Sequence, residues 1–286
     1  MQKIGIVDYA YERFGSFEEK IKNIARHGYG YIDYSYITDT DSAFFKRDDT
    51  VFYKDIEKHR LICESYGIKV AQAHGPWRYP PLDNSEELRK TRFVEMSKAI
   101  KATALLGCEN IVIHGLMPFT THDVGFEEET EKINLDFFQK LAKIAEEQGV
   151  YICLENMPML KYTLNTPKRI LDFIKRVDSK NLKVCLDTGH CNVFDSSPAK
   201  AVRMIGKDLL KALHIHDNDG KSDKHLNPFH GTIDWLDFSS ALKEIGYDGV
   251  MCLETSIPNS IPHELLEDEL LSLKKKIEFL ALKASR

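Results

Sequence analysis

The stretches VYICLEN (150–156) and LKVCLDTGH (182–190) decide the fold. Each is a short apolar run that stops on a carboxylate, Glu155 in the first and Asp187 in the second. A continuous apolar run of that length reads as a strand buried on both faces, the environment of a parallel sheet. The same pattern recurs outward in both directions, with apolar runs near 3–8, 31–35, 69–75, 110–115, 150–156, 182–188, 211–217 and 249–255. Between them, helix-period segments cover 17–28, 51–66, 85–106, 127–148, 166–177, 198–209, 235–245 and 262–284. Gly28, Gly67, Gly107, Gly149 and Gly246 follow helices where a C-cap glycine belongs. Ser16, Thr166-Pro167, Ser197-Pro198 and Asp234 mark helix starts. Eight strand–helix units at a spacing of about 35 residues predict a single-domain (β/α)8 barrel of the TIM type over 1–286. A doubly wound open sheet is the competing topology, but no GxGxxG turn follows the first strand.

The strand endings carry the chemistry. Six of them read Ala-His74-Gly-Pro, Ile-His114-Gly, Leu-Glu155-Asn, Leu-Asp187-Thr-Gly-His190, Leu-His214-Ile-His216-Asp217 and Leu-Glu254-Thr. In a barrel these endings converge on the face where the βα loops build the active site. Imidazoles and carboxylates on six successive strands therefore predict a metal centre. The mixed donor set suits Zn, Mn, Co or Fe better than Mg alone, and more than one ion stays open. Glu155, Asp187, His214 and Glu254 form the expected primary set. Strands five and eight lie nearly opposite, so Glu155 and Glu254 flank a substrate between them. Two flanking carboxylates are the acid–base pair that aldose–ketose isomerisation or epimerisation through an enediolate needs. His74, His114, His190, His216, Asp223 and His225 are candidates for further metal or substrate contacts. Trp77, His190 and His230 are expected to bind substrate, and Phe119 is a second candidate for an apolar wall. The other histidines, His27, His59, His122 and His263, read as ordinary surface residues.

Bulk properties narrow the class. Lys plus Arg total 39 against 44 Asp plus Glu, a net charge of −5, so no general attraction to nucleic acid or anionic membrane is expected. No signal peptide and no apolar run long enough to span a bilayer are expected. The six cysteines lie mostly inside apolar runs without CxxC pairing, which predicts reduced thiols in a cytoplasmic protein.

At ICLEN (152–156), LDTGH (186–190), LHIHDND (213–219) and CLET (252–255), the chain resembles the xylose isomerase-like TIM barrel superfamily. That group includes sugar and sugar-phosphate isomerases and epimerases and the endonuclease IV type of AP endonuclease. The resemblance covers nearly the whole chain. It implies that Glu155, Asp187, His214 and Glu254 bind one divalent metal and that the two glutamates carry protons. The endonuclease IV set, which holds three zinc ions, can also be placed here, on His74, His114, Glu155, Asp187, His190, His214, Asp223-Lys224-His225 and Glu254. Two departures from the family pattern stand out. HLNPFHGTIDW (225–235) has Phe229-His230-Gly231 at the usual Gly-Glu-Gly turn, and the ketose epimerases' arginine after strand seven is missing, with Lys221 and Lys224 the nearest basic residues.

The expectation is a metal-dependent isomerase or epimerase acting on a small sugar or sugar phosphate, with a homo-oligomer left open. Alternatives are an endonuclease IV-like zinc phosphoesterase acting on abasic DNA and a carbohydrate lyase on the same scaffold. The negative charge and the acidic loop 36–50 (Asp39, Asp41, Asp48, Asp49) argue against a nucleic-acid partner.

Overall fold

The computed structural model describes residues 2–79, 81, 83–119, 125–159, 162–194, 196–255 and 257–285. The surface assignment of His122 falls outside these residues. Eight strands form one parallel sheet: β1 (Lys3–Val7), β2 (Tyr31–Tyr34), β3 (Lys69–His74), β4 (Asn110–Ile113), β5 (Tyr151–Glu155), β6 (Leu182–Asp187), β7 (Leu210–His214) and β8 (Val250–Leu253). Neighbours in sequence pair in order from β1 to β7, and β1 pairs with β8 on its other side. The remaining gap is bridged beyond the strand ends. Ile215 N–H donates to Cys252 O at 2.9 Å, and Glu254 N–H donates to Ile215 O at 3.1 Å. The sheet is thus a nearly closed TIM barrel.

The helices are α1 (Phe17–Arg26), α2 (Asp49–Ser65), α3 (Glu86–Leu105), α4 (Glu127–Gln148), α5 (Pro167–Val177), α6 (Thr188–Val193), α7 (Pro198–Ile205), α8 (Trp235–Ile245) and α9 (His263–Ala284). The predicted caps are present. Ser16 and Glu19 form a reciprocal capping box, and Thr166, Ser197 and Asp234 accept from backbone N–H groups of the first turns of α5, α7 and α8. Gly149 and Gly246 end α4 and α8 in the left-handed region. Besides a 3-10 turn over Asp8–Phe14, two elements depart from the sequence expectation. The seventh helix stops at Ile205 rather than 209 because Gly206 turns with a φ of 73°. A short helix, α6, follows β6 directly, and Asp187 caps it by accepting from His190 N–H at 2.7 Å.

The main core lies between barrel and helices, where Phe52, Phe138 and Phe238 are fully buried. Burying each contributes on the order of 2–3 kcal/mol. A smaller cluster, Val112, Cys153, Cys185 and Ala212, comes from β4 to β7. Side chains alternate along a strand, so His114, Glu155, Asp187 and His214, each two residues further on, share that face. Small residues thus fill the level below, and polar ones crown it. All six cysteines are free and buried, as expected of unpaired thiols.

Two histidines expected at the surface are not there. His27 is buried between the Tyr11 hydroxyl (2.6 Å) and Glu267 (2.9 Å), linking the 3-10 turn Asp8–Phe14 to α1 and α9. His59 stacks between Phe17 and Phe44, with ring centroids 3.9 and 5.2 Å away, and its Nδ1 lies 2.7 Å from the Tyr34 hydroxyl. The aromatic-rich 36–50 loop covers one side of that ring, which a helical-period reading of α2 alone does not reveal.

Candidate active site

Glu155 sits at the centre of the crown and is almost fully buried. Its Oε2 lies 2.7 Å from His114 Nε2 and its Oε1 3.1 Å from His214 Nδ1. Burial pushes this carboxyl up, but the facing imidazoles of His214 and His114 outweigh it and hold it well below the usual range. Glu254 approaches from β8, with Oε2 3.4 Å from His214 Nδ1. Burial pushes its carboxyl up to about 8, although His214 and His225 pull the other way. The two glutamates are therefore unlike: one is held ionised, and the other resists ionisation.

Asp187 spends one oxygen on capping α6 and offers the other, Oδ2, to His216 Nε2 at 2.9 Å. Asn156 clamps the ends of β5 and β6: its Oδ1 accepts from Asp187 N–H at 2.9 Å, and its Nδ2 donates to Asp187 O at 3.1 Å. Its own carbonyl lies 2.7 Å from His190 Nδ1, which turns the other ring nitrogen toward Asp223 Oδ2 at 3.2 Å. His225 Nε2 donates to the same Asp223 oxygen, 3.3 Å away, and its ring stacks on His216 with centroids 4.0 Å apart. Burial opposes charge on both imidazoles, yet Asp187, Asp223 and Glu155 hold His190 up at about 9, and Asp223 and Glu254 hold His225 up at about 10. Gly189 is required here, since a Cβ at that position would stand 2.0 Å from the His216 ring.

On the other flank His74 Nδ1 contacts Gly75 O at 2.9 Å, leaving Nε2 free. Its ring lies parallel to that of His214, with centroids 5.5 Å apart. Burial, then the neighbouring imidazoles, pushes His74 down to about 4. Trp77 packs edge-on against His114 at 4.3 Å and forms a wall beside the cluster.

Ligand atoms that lie within 4.8 Å of one another fall into three groups among the described residues: Glu155, Asp187, His214 and Glu254; His74, Glu155 and His214; and His190, His216, Asp223 and His225. The donor chemistry fits a divalent ion. Three carboxylates, Glu155, Asp187 and Glu254, converge with little access to water, a costly arrangement without countercharge, and Asp223 adds a fourth at the more exposed rim. Protons on the imidazoles supply that charge here, and a metal ion bound among the same groups would supply it in their place.

Two expected residues lie elsewhere. His230 is exposed, and Lys276 Nζ donates to its Nε2 at 2.8 Å, so the structure does not bring it into the cluster. Phe119 stacks on half-exposed Phe126 at 4.3 Å instead of facing the imidazoles. Sequence reasoning also missed site residues. Asp33 lies 2.9 Å from His214 Nε2, and Gln72 donates to the same Asp33 oxygen at 2.8 Å. Tyr9 follows β1, and burial together with the charge of Glu254 raises its phenol well above the ordinary value. Buried Asp8 accepts from the Ser35 hydroxyl and backbone N–H, and burial lifts it to about 6. The signal was available, because GIVDY and YIDYS also end apolar runs on carboxylates.

The fold and this crown of strand-end ligands define a class that comparison with known proteins makes specific. The xylose isomerase-like TIM barrel family model matches residues 21–276, and the chain belongs to that family. Among its relatives, D-psicose 3-epimerase of Ruminiclostridium cellulolyticum is 30% identical over 210 residues, 71% of this chain and 69% of that protein. The crystal structure of a D-tagatose 3-epimerase-like protein superposes with a TM-score of 0.76 at 26% identity, covering 96% of this chain and 98% of the other. The crystal structure of IolI protein with a bound zinc atom matches with a TM-score of 0.77 at 21% identity, over 100% and 99% of the two chains, and shows the shared fold. Curated relatives carry the names of sugar epimerases and isomerases. No helix among the described residues is long and apolar enough to cross a membrane.

Proposed function

We propose that the protein is a divalent-metal-dependent isomerase or epimerase of a small sugar or sugar phosphate. The observation that carries this reading is the convergence of Glu155, Asp187, His214 and Glu254, from the ends of β5 to β8, within 4.8 Å of one another. These four would hold the ion, with Zn, Mn or Co suited to the donors. When bound, the ion supplies Lewis acidity that makes the C–H beside a sugar carbonyl more acidic. Glu155 takes that proton. Glu254 returns one from the opposite side, and the pair carries the substrate through an enediolate. Trp77 gives the sugar an apolar wall, and His190, whose Nδ1 lies 3.5 Å from Glu155 Oε1, gives it a polar contact. The family relatives and the zinc-bound IolI structure support this reading.

A second reading has its own observation. The His190, His216, Asp223 and His225 group and the His74, Glu155 and His214 group flank the primary set. Further ions in these flanking groups would suit a phosphoesterase that activates water against a phosphodiester, with abasic DNA as its substrate.

The test incubates the metal-loaded protein with a panel of ketoses and ketose phosphates in deuterated water. The proposal predicts solvent deuterium at the carbon beside the carbonyl, and loss of most turnover in both Glu155→Gln and Glu254→Gln, by about 100-fold or more. No incorporation from any sugar, together with cleavage of abasic DNA, would replace the first reading with the second.

A further inference from the structure

We infer that Asp33 is a positioning residue that fixes the ring orientation and tautomer of His214 so that its Nδ1 faces the metal. The inference deepens the proposed function and rests on it. Asp33 is the penultimate residue of β2, with β1 and β8 lying between that strand and β7, and is almost fully buried. The β2–β3 register shifts between Ile32 and Asp33, which sets this residue apart from the regular ladder. Its Oδ2 lies 2.9 Å from His214 Nε2. Gln72 of β3 holds the same oxygen through Nε2 at 2.8 Å, and is itself braced on β7 by Leu213 O (3.2 Å) and Leu213 N (3.4 Å). A carboxylate can only accept, so His214 Nε2 must carry the proton it donates. Without a metal, Nδ1 carries a second proton toward Glu155 Oε1 at 3.1 Å, with Glu254 Oε2 3.4 Å away; with Nε2 held to Asp33, Nδ1 is the nitrogen that would give up its proton and offer its lone pair to a metal seated between these groups. Carboxylate–imidazole–metal chains of this kind orient the ligand and raise its basicity.

A purely structural role fits less well. Asp33 Oδ1 is buried with no hydrogen-bond partner, so the carboxylate is not placed for its own satisfaction. The strand has no need of an acid at this position, and Gln72 would be satisfied by any acceptor. His214 is the group for which a carboxylate, rather than an amide, makes a difference. An asparagine could present an NH2 to Nε2, and that would move the ring proton to Nδ1, where it competes with the metal.

The test measures zinc affinity by chelator competition for the wild-type chain, Asp33→Asn and Gln72→Leu, beside the melting temperature of each metal-free protein. The expected result is affinity 10–100-fold weaker in Asp33→Asn, with a smaller loss in Gln72→Leu and metal-free melting close to wild type. The visible absorption of a cobalt-substituted site should also shift in Asp33→Asn, because the His214 ligand is reoriented. Wild-type zinc affinity and an unchanged cobalt spectrum in Asp33→Asn would overturn the inference and leave the proposed function standing. Should Asp33→Asn not fold, Gln72→Leu decides alone, and wild-type affinity there overturns the inference. A wild-type chain that binds neither zinc nor cobalt would instead overturn the proposed function itself.

Discussion

Replacing Glu155 with Gln should uncouple the protein's thermal stability from divalent metal. Glu155 belongs to two of the three ligand groups, so one substitution weakens both. A metal present at 100 times its dissociation constant stabilises the folded chain by about 2.7 kcal/mol. With an unfolding entropy of about 2.1 cal/mol/K per residue, a chain of 286 residues changes by about 0.6 kcal/mol for each degree. The wild-type melting temperature should therefore rise by about 4–5 °C when zinc is added to the metal-free protein. Loss of a direct ligand should weaken binding by about 100-fold at least, which leaves about 0.4 kcal/mol and a rise under about 1 °C at the same zinc concentration. Because the quantity compared is the increment on adding metal, any change in the metal-free melting point of Glu155→Gln cancels. Differential scanning calorimetry with and without zinc reads both numbers. An increment in Glu155→Gln equal to that of wild type would refute the assignment of Glu155 as a ligand.

Other outcomes follow from the same physical picture. His59 is pushed down to about 4, chiefly by burial among aromatic rings, from an ordinary value of 6.5. Its folded pKa is depressed, so the unfolded chain binds the extra proton between these values; its stabilisation is complete above about pH 6.5 and lost as pH falls toward 4, by at most about 3 kcal/mol. Urea unfolding at several pH values should show a flatter acid limb in His59→Leu than in wild type, and parallel limbs would exclude this role. Gly189→Ala would drive a Cβ to within 2.0 Å of the His216 ring. It should cost about 1–3 kcal/mol in chemical denaturation; wild-type stability would show that the ring can move aside freely.

The legible part of this molecule was what alternates. Strand–helix periodicity and capping residues such as Ser16, Thr166 and Asp234 located the barrel's elements, α4 and α8 to the residue. The strand-end rule also anticipates that Glu155, Asp187, His214 and Glu254 come together, because two-residue alternation carries the face below them up to the rim. What was not legible depends on the barrel's closure in three dimensions. Asp33 meets His214 from 181 residues away, a contact that no local pattern encodes. His230 looked like a site residue from its neighbours in sequence, yet after the chain turns at Phe229, whose φ is 72°, it meets Lys276 of α9 instead. His27 and His59 were misjudged for a related reason: their partners, Glu267 and Phe17, come from other helices.

The central claim is that the strand-end crown holds a divalent ion between Glu155, Asp187, His214 and Glu254. The most direct measurement is a crystal structure of the zinc-loaded protein with anomalous scattering recorded at the zinc edge. The account predicts an anomalous peak bonded to Glu155, Asp187, Glu254 and His214 Nδ1 at about 2.0–2.2 Å. A map with no peak among these four, or with zinc only at surface carboxylates, would contradict it.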